Sequence, residues 1–231
     1  MNIAGFTKFS LIDYPGKISA VVFLQGCNLR CPYCHNRELV IPGFFSETLE
    51  EEEFFEFLSL RKGKLQGVVV TGGEPTVQRD LELFIKNIKN LGFYVKIDTN
   101  GLNPDVIENL IQKRLVDYIA MDIKAPLEKY GKLSGVAVDK EKLKSSISII
   151  KVGNVDYEFR TTLIKGIHSY LDIERIVSLI KGSKRYVLQN FYPDGNLIDT
   201  SFRHFSSFSR KELFDIKKSI EKYFEEVVVR D

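Results

Sequence analysis

The sequence contains very little cysteine. Its 231 residues include three, Cys27, Cys31 and Cys34, and all of them lie within a stretch of eight residues. An odd number of cysteines packed this tightly makes a poor disulfide framework. A redox pair of Cys31 and Cys34 would leave Cys27 without a partner. In a reducing compartment, a cluster of this kind more often binds metal.

Other missing features exclude further classes of protein. Lysine and arginine number 33 and acidic residues 31, a net charge of +2, which gives no reason to expect a nucleic-acid or membrane-surface partner. No apolar run approaches the ~20 residues of a membrane-spanning helix, and the first ten residues do not resemble a secretory signal. We therefore expect a cytoplasmic protein. Without repeats, low-complexity segments or linkers, residues 1–231 are interpreted as a single domain.

The chain alternates between short apolar runs and amphipathic stretches. Each apolar run is rich in β-branched or aromatic residues and ends in polar or turn residues, which is typical of a strand buried on both faces. These predicted strands are Ser19–Leu24, Gly67–Thr71, Phe93–Asp98, Val116–Asp122, Asp156–Thr162 and Arg185–Phe191. The predicted helices are Thr48–Leu60, Asp80–Leu91, Pro104–Arg114, Lys140–Lys151, Leu171–Lys181 and Ser209–Phe224.

Six strand–helix alternations predict an α/β fold with a parallel sheet and right-handed crossovers. The pattern fits either a doubly wound open sheet or a partly closed barrel. In both architectures ligands bind at the carboxyl ends of the strands. Functional side chains are therefore expected immediately after strands.

The loop after the first predicted strand, residues 25–36, carries all three cysteines with the spacing C-x3-C-x2-C. Soft thiolates favour zinc or iron–sulfur. Three ligands are one fewer than a closed structural site uses, which leaves an open metal position. The alternative is a structural zinc site with a histidine as fourth ligand. His35 adjoins Cys34 too closely to share its metal easily, so His168 and His204 would be the candidates.

Two further strands are followed by motifs that suit a ligand. Gly72-Gly73-Glu74 follows the second predicted strand, where glycines allow close backbone approach and a carboxylate can accept a hydrogen bond from an ammonium group. Asp98-Thr99-Asn100-Gly101 follows the third. Taken alone, the first could be an ordinary strand–helix turn and the second an Asx-type turn.

The later strands also carry polar groups near their ends. Asp122 and Lys124 share one side of an extended strand because side chains alternate with a period of two, which a surface ion pair would also explain. Arg160 lies in an apolar strand, and a buried arginine is rare unless it is paired. Gln189 lies at the end of the sixth run.

The C-x3-C-x-aromatic-C loop resembles the signature of the radical S-adenosylmethionine superfamily. The resemblance implies a partial, open parallel (β/α)6 barrel related to the TIM barrel. It further implies that Cys27, Cys31 and Cys34 hold one 4Fe–4S cluster, that Tyr33 packs by the adenine, and that Gly72-Gly73-Glu74 holds the methionine amino group. S-adenosylmethionine would complete the cluster and be cleaved reductively to a 5′-deoxyadenosyl radical.

Asp98-Thr99-Asn100-Gly101 and Asp122-Ile123-Lys124 resemble the enzymes that activate glycyl-radical enzymes. In the pyruvate formate-lyase activating enzyme the matching residues bind a monovalent cation. This implies such a cation at Asp98, Thr99 and Asp122, with Lys124 and Arg160 contacting S-adenosylmethionine.

The finer resemblance, in Ser10–Gly16, Gln25–Asn28, Cys34–Asn36, Glu158–Thr162 and Leu188–Phe191, is to the longer form of the anaerobic ribonucleoside-triphosphate reductase activating protein. It implies removal of a hydrogen atom from a backbone glycine of a reductase partner. A flavodoxin or ferredoxin would supply the electron.

One position departs from this pattern. The lyase-activating enzyme has a histidine near the end of its sixth strand, whereas Tyr192 stands there in this sequence and Gln189 is the nearby polar candidate. The absence of further cysteines excludes an auxiliary cluster. Two alternative functions remain: a radical enzyme acting on a small molecule, such as a deazapurine synthase, and a non-enzymatic iron–sulfur or zinc module.

Overall fold

The computed structural model describes all 231 residues and is built around one eight-stranded sheet. The strands follow one another in chain order across the sheet. They are β1 (Ile3–Ser10), β2 (Ser19–Leu24), β3 (Gly67–Gly72), β4 (Tyr94–Thr99), β5 (Tyr118–Asp122), β6 (Asp156–Leu163), β7 (Arg185–Asn190) and β8 (Glu226–Arg230). All neighbouring pairs are parallel except β1 with β2, and no ladder joins β8 to β1. The barrel is therefore open.

Eight α-helices accompany the sheet. They are α1 (Arg37–Val40), α2 (Glu51–Ser59), α3 (Leu81–Asn90), α4 (Pro104–Gln112), α5 (Tyr130–Ser134), α6 (Lys140–Val152), α7 (Tyr170–Ile180) and α8 (Arg210–Ile220). None of them is long and apolar enough to cross a membrane.

The six predicted strands are confirmed as β2 to β7, but two strands were missed at the edges of the sheet. In β1 only the terminal residues Ile3 and Ser10 are buried, and in β8 only Val227 is. Because an edge strand is covered on fewer sides, it lacks the continuous apolar run that marked the central strands.

The six predicted helices are confirmed as α2, α3, α4, α6, α7 and α8. Four of them, α2, α3, α4 and α8, are shorter than predicted, whereas α6 extends one residue further and α7 begins and ends one residue earlier. The C-terminal helix, predicted over residues 209–224, ends at Ile220 and is followed by a 3-10 turn, Glu221–Tyr223. Capping boxes begin α7 and α8, where Ser169 pairs with Asp172 and Ser209 with Glu212. The short helices α1 and α5, of four and five residues, were missed because they are too short to show a period.

The two faces of the sheet differ in character. Side chains of the outer face pack against the helices in one core of 50 buried residues. The inner face carries a small separate cluster of Tyr14, Val21, Val69 and Tyr118. Two residues further along β3 than Val69, on the same face, Thr71 lines a cavity. On β3, the cavity wall therefore begins two residues beyond the apolar cluster.

Candidate active site

One cavity of about 340 Å³ lies at the carboxyl ends of the strands. A volume of this size is sufficient for a small ligand. All thirteen residues predicted for the site line it: Cys27, Cys31, Tyr33, Cys34, Gly72, Gly73, Glu74, Asp98, Thr99, Asp122, Lys124, Arg160 and Gln189. Six separate segments of the chain thus converge where the alternation of strands and helices predicted a site.

The cysteine loop is irregular in backbone but held at several points. Backbone N–H groups of Gly26 and Arg30 donate to the carbonyls of Leu39 and Ser134, at 2.7 and 2.8 Å. Later in the loop, the Cys34 carbonyl accepts from Ile198 N at 3.1 Å. Because α1, α5 and the segment after β7 all contribute, the loop is positioned by tertiary contacts.

The three thiols differ from ordinary surface cysteines. Cys31 is buried and the other two are half-buried. Burial raises the pKa of Cys27 to about 11 and that of Cys31 to about 12, against the opposing positive charge of Lys124. Metal binding must displace these protons, because the thiolate is the ligand.

The contacts of His168 do not favour it as the fourth ligand of a structural zinc site. His168 is buried, with Nδ1 accepting from Ile164 N at 3.0 Å and Nε2 lying 3.1 Å from the Lys124 carbonyl. No group of three or more His, Cys, Asp and Glu side chains is arranged to hold a single metal ion, whereas structural zinc takes four ligands. In the resemblance each thiolate binds a different iron, so no single-ion cage is required.

The glycines of Gly72-Gly73-Glu74 serve a different purpose from the predicted one. A Cβ on Gly72 would lie 2.3 Å from the Leu24 backbone, and one on Gly73 would lie 2.1 Å from the Gly26 carbonyl oxygen. The N–H groups of Gly73 and Glu74 donate to Leu24 O and Gly26 O, each at 2.8 Å. Both N–H groups are therefore bonded within the fold and are not exposed to a ligand. The close approach is to the chain itself, where β3 meets the start of the cysteine loop.

Glu74 is almost completely buried, with 1% of its surface exposed. Its carboxylate accepts hydrogen bonds from Thr76 N (3.1 Å), Thr76 Oγ1 (2.6 Å), Thr99 Oγ1 (2.7 Å) and Asn100 N (2.6 Å). Burial raises its pKa, while these donors oppose the rise. A carboxylate has about four lone-pair positions, two on each oxygen. Oε1 accepts three of these bonds and Oε2 accepts one, so Oε2 keeps a position free. Glu74 joins the end of β3 to the end of β4, and its role toward an amino group stays a prediction.

A network of charges spans β4, β5 and β6 on the inner face. Arg160 donates through Nε to Asp122 Oδ1 at 2.7 Å and through Nη1 to Asp98 Oδ2 at 3.2 Å. Lys124 Nζ donates to Asp122 Oδ2 at 2.9 Å. The predicted pairing of Arg160 is confirmed. The partners are aspartates of two neighbouring strands, and Asp122 and Lys124 form a part-buried ion pair.

These charges shift one another's titration. Although burial opposes the effect, Arg160 and Lys96 lower the pKa of Asp98, and Arg160 and Lys124 lower that of Asp122 further. Burial would lower the pKa of Lys124, but the Asp122 carboxylate outweighs it and raises this pKa well above its usual value. Asp98, Asp122 and Lys124 are therefore charged near neutral pH.

Tyr33 and Gln189 line the cavity, whereas Tyr192 does not. The buried Tyr33 hydroxyl has no hydrogen-bond partner. Tyr192, which the resemblance places at the position of the family histidine, is half exposed. Its carbonyl lies 2.8 Å from His35 Nε2, and its hydroxyl donates to Asp231 at 3.1 Å.

Sequence reasoning did not assign Lys96, Asn100 or Asp13 to the site, although Asn100 lies in one of the motifs that it singled out. Lys96 is 1% exposed and its ammonium contacts Asp98 Oδ1. Asn100 donates through Nδ2 to Asn28 at 2.7 Å, and Asp13 lines the cavity. A lysine inside an apolar strand carried the same signal that identified Arg160. Nothing local could have placed Asp13, because it follows a strand that was itself missed.

Comparison with known proteins agrees with this geometry. The family described as the radical SAM superfamily matches residues 21–180. A protein of Methanocaldococcus jannaschii, described as a candidate glycyl-radical enzyme activating enzyme, is 38% identical over 234 residues, covering 99% of this chain and 95% of that protein. The pyruvate formate-lyase-activating enzyme of Listeria monocytogenes is 35% identical over 122 residues, 49% of each chain.

Solved structures share the fold at low sequence identity. SuiB of Streptococcus suis bound to S-adenosylmethionine superposes with a TM-score of 0.70 at 15% identity, covering 89% of this chain and 48% of SuiB. Coproporphyrinogen III oxidase from Escherichia coli gives 0.58 at 12% identity, covering 86% and 50%. This chain therefore spans about half the length of these structures. The predicted partial barrel is confirmed.

These findings define the class of protein. The chain belongs to the radical SAM superfamily and is a radical SAM enzyme. That family implies a 4Fe–4S cluster and S-adenosylmethionine. The site fits both, because three free thiols, an unpartnered tyrosine hydroxyl and the basic side chains of Lys124 and Arg160 surround one cavity.

Proposed function

We propose that this chain is a glycyl-radical enzyme activating enzyme, which removes a hydrogen atom from a backbone glycine of a partner enzyme. The observation that carries the proposal is the convergence of three thiols and the Asp98–Arg160–Asp122–Lys124 network on one cavity. Similarity to the M. jannaschii relative over 99% of this chain supports the choice among radical enzymes.

In this proposal Cys27, Cys31 and Cys34 hold the cluster. When bound and reduced, the cluster supplies the electron that cleaves S-adenosylmethionine to methionine and a 5′-deoxyadenosyl radical. Lys124 and Arg160 attract and orient the cofactor carboxylate, since guanidinium and ammonium groups form strong charge-assisted hydrogen bonds. Tyr33 offers its unpartnered hydroxyl along the same wall. Glu74 holds the Thr99–Asn100 turn against the site.

The partner proposed first is an anaerobic ribonucleoside-triphosphate reductase, and the electron donor a flavodoxin or ferredoxin. The support is the resemblance in Ser10–Gly16, Gln25–Asn28 and Leu188–Phe191. A pyruvate formate-lyase is the less favoured partner. In the resemblance to its activating enzyme, the position of Tyr192 is a histidine that helps to hold the cofactor, whereas Tyr192 lies outside the cavity wall.

The resemblance also carries a monovalent cation at Asp98, Thr99 and Asp122. The contacts of these residues do not favour it. Both carboxylates are already paired with basic side chains, and the Thr99 hydroxyl donates to Glu74 at 2.7 Å. We therefore propose the cofactor site without that ion.

Electron paramagnetic resonance tests the proposal. The protein is reconstituted anaerobically with iron and sulfide, reduced, and mixed with S-adenosylmethionine and the reductase of the same host. A persistent glycyl-radical doublet on the reductase is expected. The matched control is Cys31→Ala, which should give neither doublet nor 5′-deoxyadenosine.

The other outcomes separate the alternatives. Formation of 5′-deoxyadenosine without a doublet would overturn this reductase as partner and direct the search to another glycyl-radical enzyme or a small substrate. Formation of neither product by a fully reconstituted protein would contradict the radical chemistry itself.

A further inference from the structure

A lysine lies buried beneath the cavity. Lys96 occupies the middle of β4 between Val95 and Ile97, with 1% of its surface exposed. Because side chains alternate along a strand, Lys96 and Asp98 share the inner face. The ammonium contacts Asp98 Oδ1, its one hydrogen-bond acceptor. A buried lysine is rare unless it is paired, so the pair formed by Lys96 and Asp98 points to a role for Lys96 beside the cavity.

The pair completes a pattern around the two aspartates. Asp98 Oδ1 contacts Lys96, and Asp98 Oδ2 accepts from Arg160 at 3.2 Å. Asp122 Oδ1 accepts from Arg160 at 2.7 Å, and Oδ2 accepts from Lys124 at 2.9 Å. Each of the four carboxylate oxygens therefore contacts a cation that belongs to the protein.

The third predicted cation ligand is also engaged. Thr99 Oγ1 donates to Glu74 Oε1 at 2.7 Å and accepts from Gly101 N at 3.1 Å. Its hydroxyl hydrogen and one lone pair are therefore committed to the fold. An added ion would have to compete with these contacts.

Net charge by itself does not decide whether a cation is added. Lys96, Lys124 and Arg160 carry +3 and Asp98 and Asp122 −2, a surplus of 3 − 2 = +1 within the network. Asp13 and Glu74 also line the cavity and bring the formal charge of the seven groups to 3 − 4 = −1. The case against an added ion therefore rests on the contacts of the four aspartate oxygens, each of which already meets a cation of the protein.

We propose that the Lys96 ammonium is the resident cation at Asp98, so that the S-adenosylmethionine site works without an exogenous monovalent cation. Lys96 is a positioning residue in this scheme. It holds Asp98, Asp98 and Asp122 hold Arg160, and Arg160 faces the cavity. The part concerning S-adenosylmethionine rests on the proposed function.

The first test uses the unaltered protein. The reconstituted enzyme is assayed for 5′-deoxyadenosine formation at constant ionic strength. Tetramethylammonium replaces sodium as the counter-ion of both the dithionite reductant and the buffer. Sodium, potassium or tetramethylammonium chloride is then compared. The KM for S-adenosylmethionine is expected to agree within twofold among the three. A fivefold or larger rise in tetramethylammonium would overturn the proposal.

Two substitutions then test Lys96 itself. Lys96→Met keeps most of the volume and removes the charge, and should raise the KM at least fivefold in every salt. Lys96→Ala opens space beside Asp98, and its KM should fall again with methylammonium or potassium, a rescue that loss of packing alone would not produce. The matched control is Lys89→Ala, which removes a half-buried lysine paired with Asp117 at 2.7 Å, away from the cavity. It should show neither effect. An unchanged KM in Lys96→Met would refute the proposal.

A measurement on the cluster-free protein separates this inference from the proposed function. ²³Na nuclear magnetic resonance should show no specific line broadening with the unaltered protein and saturable broadening with Lys96→Ala. Saturable broadening with the unaltered protein that Asp98→Asn abolishes would place sodium at Asp98 and overturn the inference. Failure of the enzyme to form 5′-deoxyadenosine would count against the proposed function alone, since the sodium spectrum requires neither cluster nor turnover.

Discussion

Glu74 offers a sharp test of the geometry at the β3–β4 junction. Three of its four donors, Thr76 N, Thr76 Oγ1 and Thr99 Oγ1, point at Oε1, and Asn100 N points at Oε2. Glu74→Gln keeps the shape but replaces one oxygen by an amide group that can only donate. In its better orientation the new amide leaves Asn100 N facing another donor.

The cost follows from these contacts. One buried N–H loses its acceptor, about 1–3 kcal/mol, and three bonds to a charged carboxylate become bonds to a neutral amide. We expect Glu74→Gln to lower the free energy of unfolding by about 2–4 kcal/mol. The assay is urea denaturation of the cluster-free protein, followed by far-ultraviolet circular dichroism at neutral pH.

The control is Glu82→Gln, which changes a carboxylate 43% exposed that binds Lys113 and Asn109 on the surface. It should cost less than about 0.5 kcal/mol. If Glu74→Gln also cost less than about 1 kcal/mol, these four contacts would not be holding the carboxylate in the fold. Glu74 would then be free to serve as a ligand group, as the resemblance implied.

Three further predictions concern the loop, its contact with β3 and a helix cap. Cys31→Ala should abolish cluster absorbance and bound iron while the circular dichroism of the cluster-free protein stays unchanged; retained iron would contradict the ligand assignment. Gly73→Ala should displace the cysteine loop, because the new Cβ would lie 2.1 Å from the Gly26 carbonyl oxygen. It should therefore reduce iron retention severalfold. Gly43→Ala, whose Cβ would meet no atom within 4 Å, should leave iron retention unchanged. Asp172→Asn should cost about 1–2 kcal/mol in thermal unfolding by weakening the α7 cap. Burial opposes the effect, but hydrogen bonds from Lys129 and Ser169 lower the pKa of Asp172 from 3.8 to about 2. The stabilisation by its carboxylate is therefore complete above about pH 4 and should disappear as the pH falls toward 2. Equal acid sensitivity of Asp172→Asn and the unaltered protein would refute this.

The central strands and the site were predictable because their signals are local. A strand buried on both faces is largely apolar, as β2 to β7 are apart from Lys96 in β4 and Glu158 and Arg160 in β6. Parallel strands also bring their carboxyl ends together. Cysteine spacing and the polar residues at those ends could therefore be assigned to one cavity. Lys96 could have been found by the same reasoning as Arg160, since both are charged residues within apolar strands.

The edge strands and the roles of Gly72, Gly73 and Glu74 were not predictable in the same way. β1 and β8 become strands by pairing with β2 and β7, and few of their residues are buried. Gly73 is required because the Gly26 carbonyl oxygen, just beyond the neighbouring strand β2, occupies the space that a Cβ would need. Such contacts depend on register and distance between segments far apart in the chain.

By itself, then, the sequence determined the order of strands and helices and the residue types offered at each strand end, because hydrophobic period and motif spacing are properties of neighbouring residues. The tertiary structure decided which charges meet. Asp98 lies between Lys96 and Arg160, and Asp122 between Arg160 and Lys124, because the registers of β4 on β5 and β5 on β6 set these side chains side by side on one inner face. Coulomb interaction depends on distance in space, and only folding supplies that distance.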